Sequence, residues 1–171
     1  MSIKQFNGEW VCREDRVLFR FNTTDDREFS FWLTRFVLKN LIQGAQQLAV
    51  KTLEKEHSPQ VAQALQSFQQ QAVAQQANFQ ETYQAPTQKP LGDQPVLVTG
   101  LVINQNGEQT SVQFQLITQK NITVQMSPSV MQVMLTLLNK LQETAQWDVG
   151  FEASDAQESS LPKPASSSLM H

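Results

Sequence analysis

The stretch FSFWLTRFVLKNLIQGAQQL, Phe29 to Leu48, changes its hydrophobic period in mid-run. Phe29, Phe31 and Leu33 alternate with Ser30 and Trp32, the two-residue period of a strand that buries one face. From Val37 onward Leu38, Leu41, Ile42, Ala45, Leu48 and Ala49 recur at three and four residues, one face of an amphipathic helix running to about Glu56. Thr34 stands at the joint, and its hydroxyl can accept from an unpaired N–H of the first helical turn. One residue thus ends a strand and caps a helix. This fixes the helix's apolar stripe against the apolar face of the strand and predicts an α+β fold.

A looser version of the pattern returns as ITVQMSPSVMQVMLTLLNKL, Ile122 to Leu141. Phe29 aligns with Ile122, Leu33 with Met126, Thr34 with Ser127, Leu41 with Met134 and Leu48 with Leu141, a constant offset of 93 residues (122 − 29). Ser127 repeats the capping role, and Pro128 suits the first helical position because its missing N–H would be unpaired there anyway. The repeat is consistent with pseudo-duplicated β-β-α units, but identities between the copies are few and a shared local design is the safer reading.

Working outward, Glu9 to Cys12 reads as a strand, Glu14-Asp15 as a turn, and Val17, Phe19 and Phe21 as the inward face of a second strand. Asn22 to Asp26 supplies turn chemistry into the Phe29 strand. After His57-Ser58-Pro59 a second helix is expected over 59–83, with Val61, Leu65, Phe68, Ala72 and Phe79 on one stripe and a Gln/Ala background. The segment 85–95, with three prolines and a glycine, reads as a linker. A strand over 96–104, a hairpin at Asn106-Gly107, the alternating run Val112, Phe114 and Leu116, and a turn at Lys120-Asn121 lead back to Ile122. The expected architecture is two small antiparallel meanders, near 10–33 and 95–126, each followed by a capped helix, with a Gln/Ala-rich helical hairpin between them. Residues 1–149 form the expected domain, with subunits 1–57 and 94–149 joined by helix 59–83 and linker 85–95. Residues 150–171, rich in Ser, Pro and acids, are expected to be a disordered tail.

Composition excludes more than it assigns. The 171 residues are 40% hydrophobic and only 17% charged, with a net charge of −3, which weighs against a general polyanion binder. No run approaches the roughly 20 apolar residues of a membrane span, and Met1 to Val11 lacks the pattern of a signal peptide. With the single Cys12 expected in a strand, these features lead to the expectation of a cytoplasmic protein of bacterial or phage-like character. One Cys and two His leave no transition-metal set. There is no nucleophile elbow and no phosphate-cradling glycine loop, so no catalytic residue, cofactor or metal is expected. A hydrolase would have to draw on Asp25, Asp26 and Glu28, which no motif distinguishes. His57 at the helix break is expected to interact with the preceding helix C-terminus.

All five arginines lie within the first 35 residues, interleaved with six acids. If Val17, Phe19 and Phe21 point inward, Arg16, Leu18 and Arg20 share the outward face with Glu28, Ser30 and Trp32. Arg and Trp together suit a protein interface or a platform for single-stranded nucleic acid; a covering by the chain's own Gln-rich helices would instead make Trp32 core. The function expected is non-enzymatic binding as an adaptor that self-associates or meets a protein partner, away from membranes. Nucleic-acid binding is the alternative. Arg16, Arg20, Trp32, Phe68 and Phe79 are the candidate interaction surface.

Overall fold

The computed structural model of the protein describes residues 2–76 and 82–147. The expected tail over 150–171 lies outside them. Six strands form one mixed sheet in sequential order: β1 (Ile3–Val11), β2 (Arg16–Thr23), β3 (Glu28–Thr34), β4 (Val96–Asn106), β5 (Gln109–Leu116) and β6 (Asn121–Met126). Three helices accompany it: α1 (Arg35–Leu53), α2 (Pro59–Gln76) and α3 (Pro128–Thr144). The two expected meanders are therefore halves of a single sheet, and each has three strands before its helix, one more than the β-β-α description of the repeat counts. The first strand starts at Ile3 rather than near Glu9, because Ile3, Phe6 and Trp10 pack against the core from strand positions. Cys12 begins a short 3-10 turn and is exposed, contrary to the strand placement.

Both strand-to-helix joints follow the capping chemistry. Thr34 Oγ1 accepts from the Val37 N–H at 3.3 Å, and Ser127 Oγ accepts from the Val130 N–H at 3.4 Å. Pro128 follows Ser127 directly into α3. Each helix then buries its predicted stripe, Val37, Leu38, Leu41, Ile42 and Ala45 on α1, and Met131, Met134, Leu135, Leu138 and Leu141 on α3.

The hairpin β4–β5 turns on Gly107-Glu108, one residue later than Asn106-Gly107 suggests, with Gly107 at φ +63° and Asn106 still paired with Gln109. The first pair of each half carries a register irregularity near its start, between Ile3 and Gln5 in β1 and between Val98 and Gly100 in β4. The halves meet at a short parallel junction, Phe31 beside Val96 and Trp32 beside Leu97. Beyond it β3 ends in α1, which packs against β4, while α3 packs against β1.

The sheet is curled. Phe19 in β2 and Phe114 in β5 are three strands apart, about 14 Å in a flat sheet, yet their ring centroids are 6.5 Å apart. Phe31 stacks on Phe114 at 4.9 Å and lies 5.9 Å from Phe21, which stacks on Phe29 at 5.1 Å. Curling gathers the apolar faces of both halves around one aromatic core, with α1 and α3 packed on it.

α2 lies on α1 and α3 as a further layer. Its predicted apolar stripe is not the buried face: Ala62 and Gln66 are buried, Val61 and Phe68 are exposed, and Leu65 and Ala72 are half-buried. Ala62 has no side chain beyond Cβ, so at that position the helix can lie close against its neighbours. The described helix ends at Gln76, residues 77–81 lie outside the described residues, and Thr82 to Gln84 are not helical.

Candidate interaction surface

Strand registry puts the outward residues of the first half in rows. Arg20 pairs with Ser30, Leu18 with Trp32, Asn22 with Glu28, and Asn7 of β1 with Arg20. Arg16, Arg20 and Trp32 therefore share one face, as alternation requires. Trp32 is half-buried, and the Arg16 guanidinium lies 4.6 Å from its ring centroid. Arg16 also pairs with Glu14. Arg20 donates to Asn7 Oδ1 through Nε at 3.1 Å and Nη2 at 2.6 Å, and stands 5.3 Å from the Tyr83 ring centroid.

Among the described residues, a stretch beyond α2 covers the far part of this face. Segment 82–88 runs across it. The Gln84 carbonyl accepts from Asn22 Nδ2 at 2.9 Å, its side chain accepts from Lys4 Nζ at 2.8 Å, and the Glu28 N–H donates to the Gln88 carbonyl at 2.8 Å. Thr87 Oγ1 donates to Asp26 Oδ2. Beneath the segment Glu28, Ser30 and Asn22 are buried, and Ser30 Oγ donates to Glu28 Oε1 at 3.2 Å. Burial pushes the Tyr83 hydroxyl above its ordinary pKa, and the neighbouring Glu28 carboxylate adds to the shift.

The carboxylates that a hydrolase would need are not gathered at one place. Asp25 and Asp26 are exposed at the β2–β3 turn, Asp25 paired with Arg27 at 3.1 Å, while Glu28 is buried under the segment. A hydrogen bond from the Thr23 side chain, with help from Arg27, lowers the Asp25 pKa. Among the described residues no group of three His, Cys, Asp or Glu side chains is placed to hold a metal ion, and no helix is long and apolar enough to cross a membrane. His57 is exposed, and its backbone N–H donates to the Leu53 carbonyl at the end of α1.

The second cluster of candidates is on α2. Phe68 is 69% and Val61 47% exposed, with Leu65 half-buried between them. The helix sequence PQVAQALQSFQQQAVAQQ holds no charged residue. Phe79 lies outside the described residues. The structure therefore leaves Phe68 well separated in role from Arg16, Arg20 and Trp32: it is free of the core, whereas those three are engaged with their neighbours.

Two residues escaped the sequence reading. Phe36 is 74% exposed beside a groove lined by Val37, Asn40, Gly44, Leu101 and Ile103. The signal was its position off the Val37, Leu38, Leu41 stripe. Tyr83 escaped because the expected helix over 59–83 includes it; Pro86 close behind is the cue that the helix ends sooner. No protein-family model, curated protein or solved structure matches this chain.

Proposed function

We propose that the chain is a non-enzymatic binding protein that self-associates through the outward face of α2 and serves as an adaptor. The observation that carries this reading is an uncharged helix with Val61 and Phe68 turned to solvent, one heptad apart on the same face. A surface helix ordinarily directs charge outward. Like faces without charge can meet about a twofold axis with no like-charge repulsion, and isologous contact is the commonest mode of self-association. The recurrence of strand pattern, cap and register irregularity in the two halves further supports reading them as pseudo-duplicated units, each β-β-β-α rather than β-β-α.

Single-stranded nucleic acid remains the second reading because Arg16 and Trp32 are stacked on an outward strand face. It carries less weight, since Glu14, Asn7 and Tyr83 already engage the two guanidinium groups.

Light scattering on the full chain tests the first reading. The expected mass is at least twice the 19.4 kDa of one chain, falling to the single-chain value in a Val61→Glu/Phe68→Glu variant with an unchanged circular dichroism spectrum. A single-chain mass for the unsubstituted protein at high concentration rejects the proposal. Titration of labelled oligonucleotide at two salt concentrations addresses the second, because phosphate contacts make affinity fall steeply with salt.

A further inference from the structure

The layer between α2 and the rest of the molecule contains an incomplete pair of amides. Gln66 on α2 and Gln132 on α3 are only 5% and 7% exposed. Gln132 Nε2 donates to Gln66 Oε1 at 3.1 Å, but the reciprocal bond is missing: Gln66 Nε2 and Gln132 Oε1 are buried without a partner. A buried donor or acceptor left unmade is costly, whereas two apolar side chains in the same place would cost little. Both glutamines line a cavity of about 210 Å³ between α1, α2, α3 and the β4–β5 hairpin. Ala45, Ala49, Leu53 and Met131 give it an apolar wall, and the exposed Glu108 also lines it.

We propose that this cavity is a binding site for a small neutral molecule carrying a primary carboxamide on a short apolar stem. The atoms the pair leaves without a partner are the Gln66 amino group, a donor, and the Gln132 carbonyl oxygen, an acceptor. The complementary ligand presents an acceptor and a donor on adjacent atoms, as a carboxamide does. A carboxylate brings acceptors alone and would face Gln132 Oε1 and Glu108; an ammonium brings donors alone. Exchanging oxygen and nitrogen in both glutamines still leaves one donor and one acceptor, so the ligand class does not depend on that assignment. The terminal torsion of glutamine is broad, so ligand entry would exchange the bond between the two amides for bonds from both of them to the ligand. Size agrees, since an apolar cavity of about 150 Å³ holds benzene.

The test is calorimetric titration of the full chain with isobutyramide and, separately, isobutyrate. Isobutyramide is expected to bind saturably and at least tenfold more tightly than isobutyrate. Gln66→Leu and Gln132→Leu are each expected to weaken it at least tenfold. Ala49→Leu, which narrows the cavity from its apolar wall and leaves both amides in place, is expected to abolish binding and keeps the test decisive should either glutamine variant misfold. No saturable binding of isobutyramide, equal binding of the two probes, or undiminished binding by folded variants overturns the proposal.

Discussion

Tyr83 is the only tyrosine in the chain, so its ionisation can be followed without interference from another phenol. Burial and the Glu28 carboxylate raise its folded pKa above the ordinary value near 10. The unfolded chain then loses its phenolic proton first as pH rises, and stability falls with pH from about 10 upward, being fully present below that value. The expected outcome is a phenolate absorbance transition that is displaced to higher pH in the native protein and returns to about 10 in denaturant. Tyr83→Phe should remove the tyrosine contribution to alkaline destabilisation, seen as a shallower fall of the denaturation midpoint above pH 10. Gly8 is a second single-residue test. A Cβ built there would collide with Leu141 Cδ1 and lie 3.6 Å from Leu137 Cδ2, so the bare backbone is what lets α3 approach β1. Gly8→Ala is expected to cost about 1–3 kcal/mol by overpacking, measured by urea unfolding.

At the scale of elements, each strand-to-helix joint depends on one hydroxyl. Thr34→Ala and Ser127→Ala should each lower stability by about 1 kcal/mol, because the first-turn N–H of Val37 or Val130 loses its partner. The two sites cap different helices and bond different N–H groups, so the double variant should show roughly the sum; chemical denaturation of all three proteins checks this. These joints were legible in the sequence because a change from period two to period 3.6 at a capping residue is a local event. The facing of α2 was not legible. Its apolar stripe contains the larger side chains, and hydrophobicity alone turns them inward. The structure instead places Ala62 and Gln66 against α1 and α3, an arrangement decided by helices far away in sequence. The strand starting at Ile3 was missed for a related reason, since Lys4, Gln5 and Asn7 interrupt its apolar residues and only pairing with β2 makes the segment a strand.

Across the whole molecule, the curled sheet makes Phe114 the meeting point of the halves, in contact with Phe19 of β2 and Phe31 of β3. Phe114→Ala is expected to destabilise by about 3–5 kcal/mol through lost burial and the cavity left behind. Phe68→Ala, at an exposed position, should change single-chain stability by no more than about 0.5 kcal/mol. Urea unfolding of the two variants side by side separates core from surface aromatic. Alternation in the sequence was enough to put Arg16, Arg20 and Trp32 on one face, but it could not show that segment 82–88 would return across that face. The partners of this segment, Lys4, Gln5, Asn22 and Asp26, are about 60 to 80 residues away. The sequence by itself determined the strand faces, the caps and the buried stripes of α1 and α3, because each follows from backbone geometry and side-chain chemistry within a few residues. Only tertiary structure decided that the two meanders join in one curled sheet, that α2 turns Phe68 outward, and that Gln66 meets Gln132. Those outcomes depend on which distant surfaces fit together, and no local pattern encodes that.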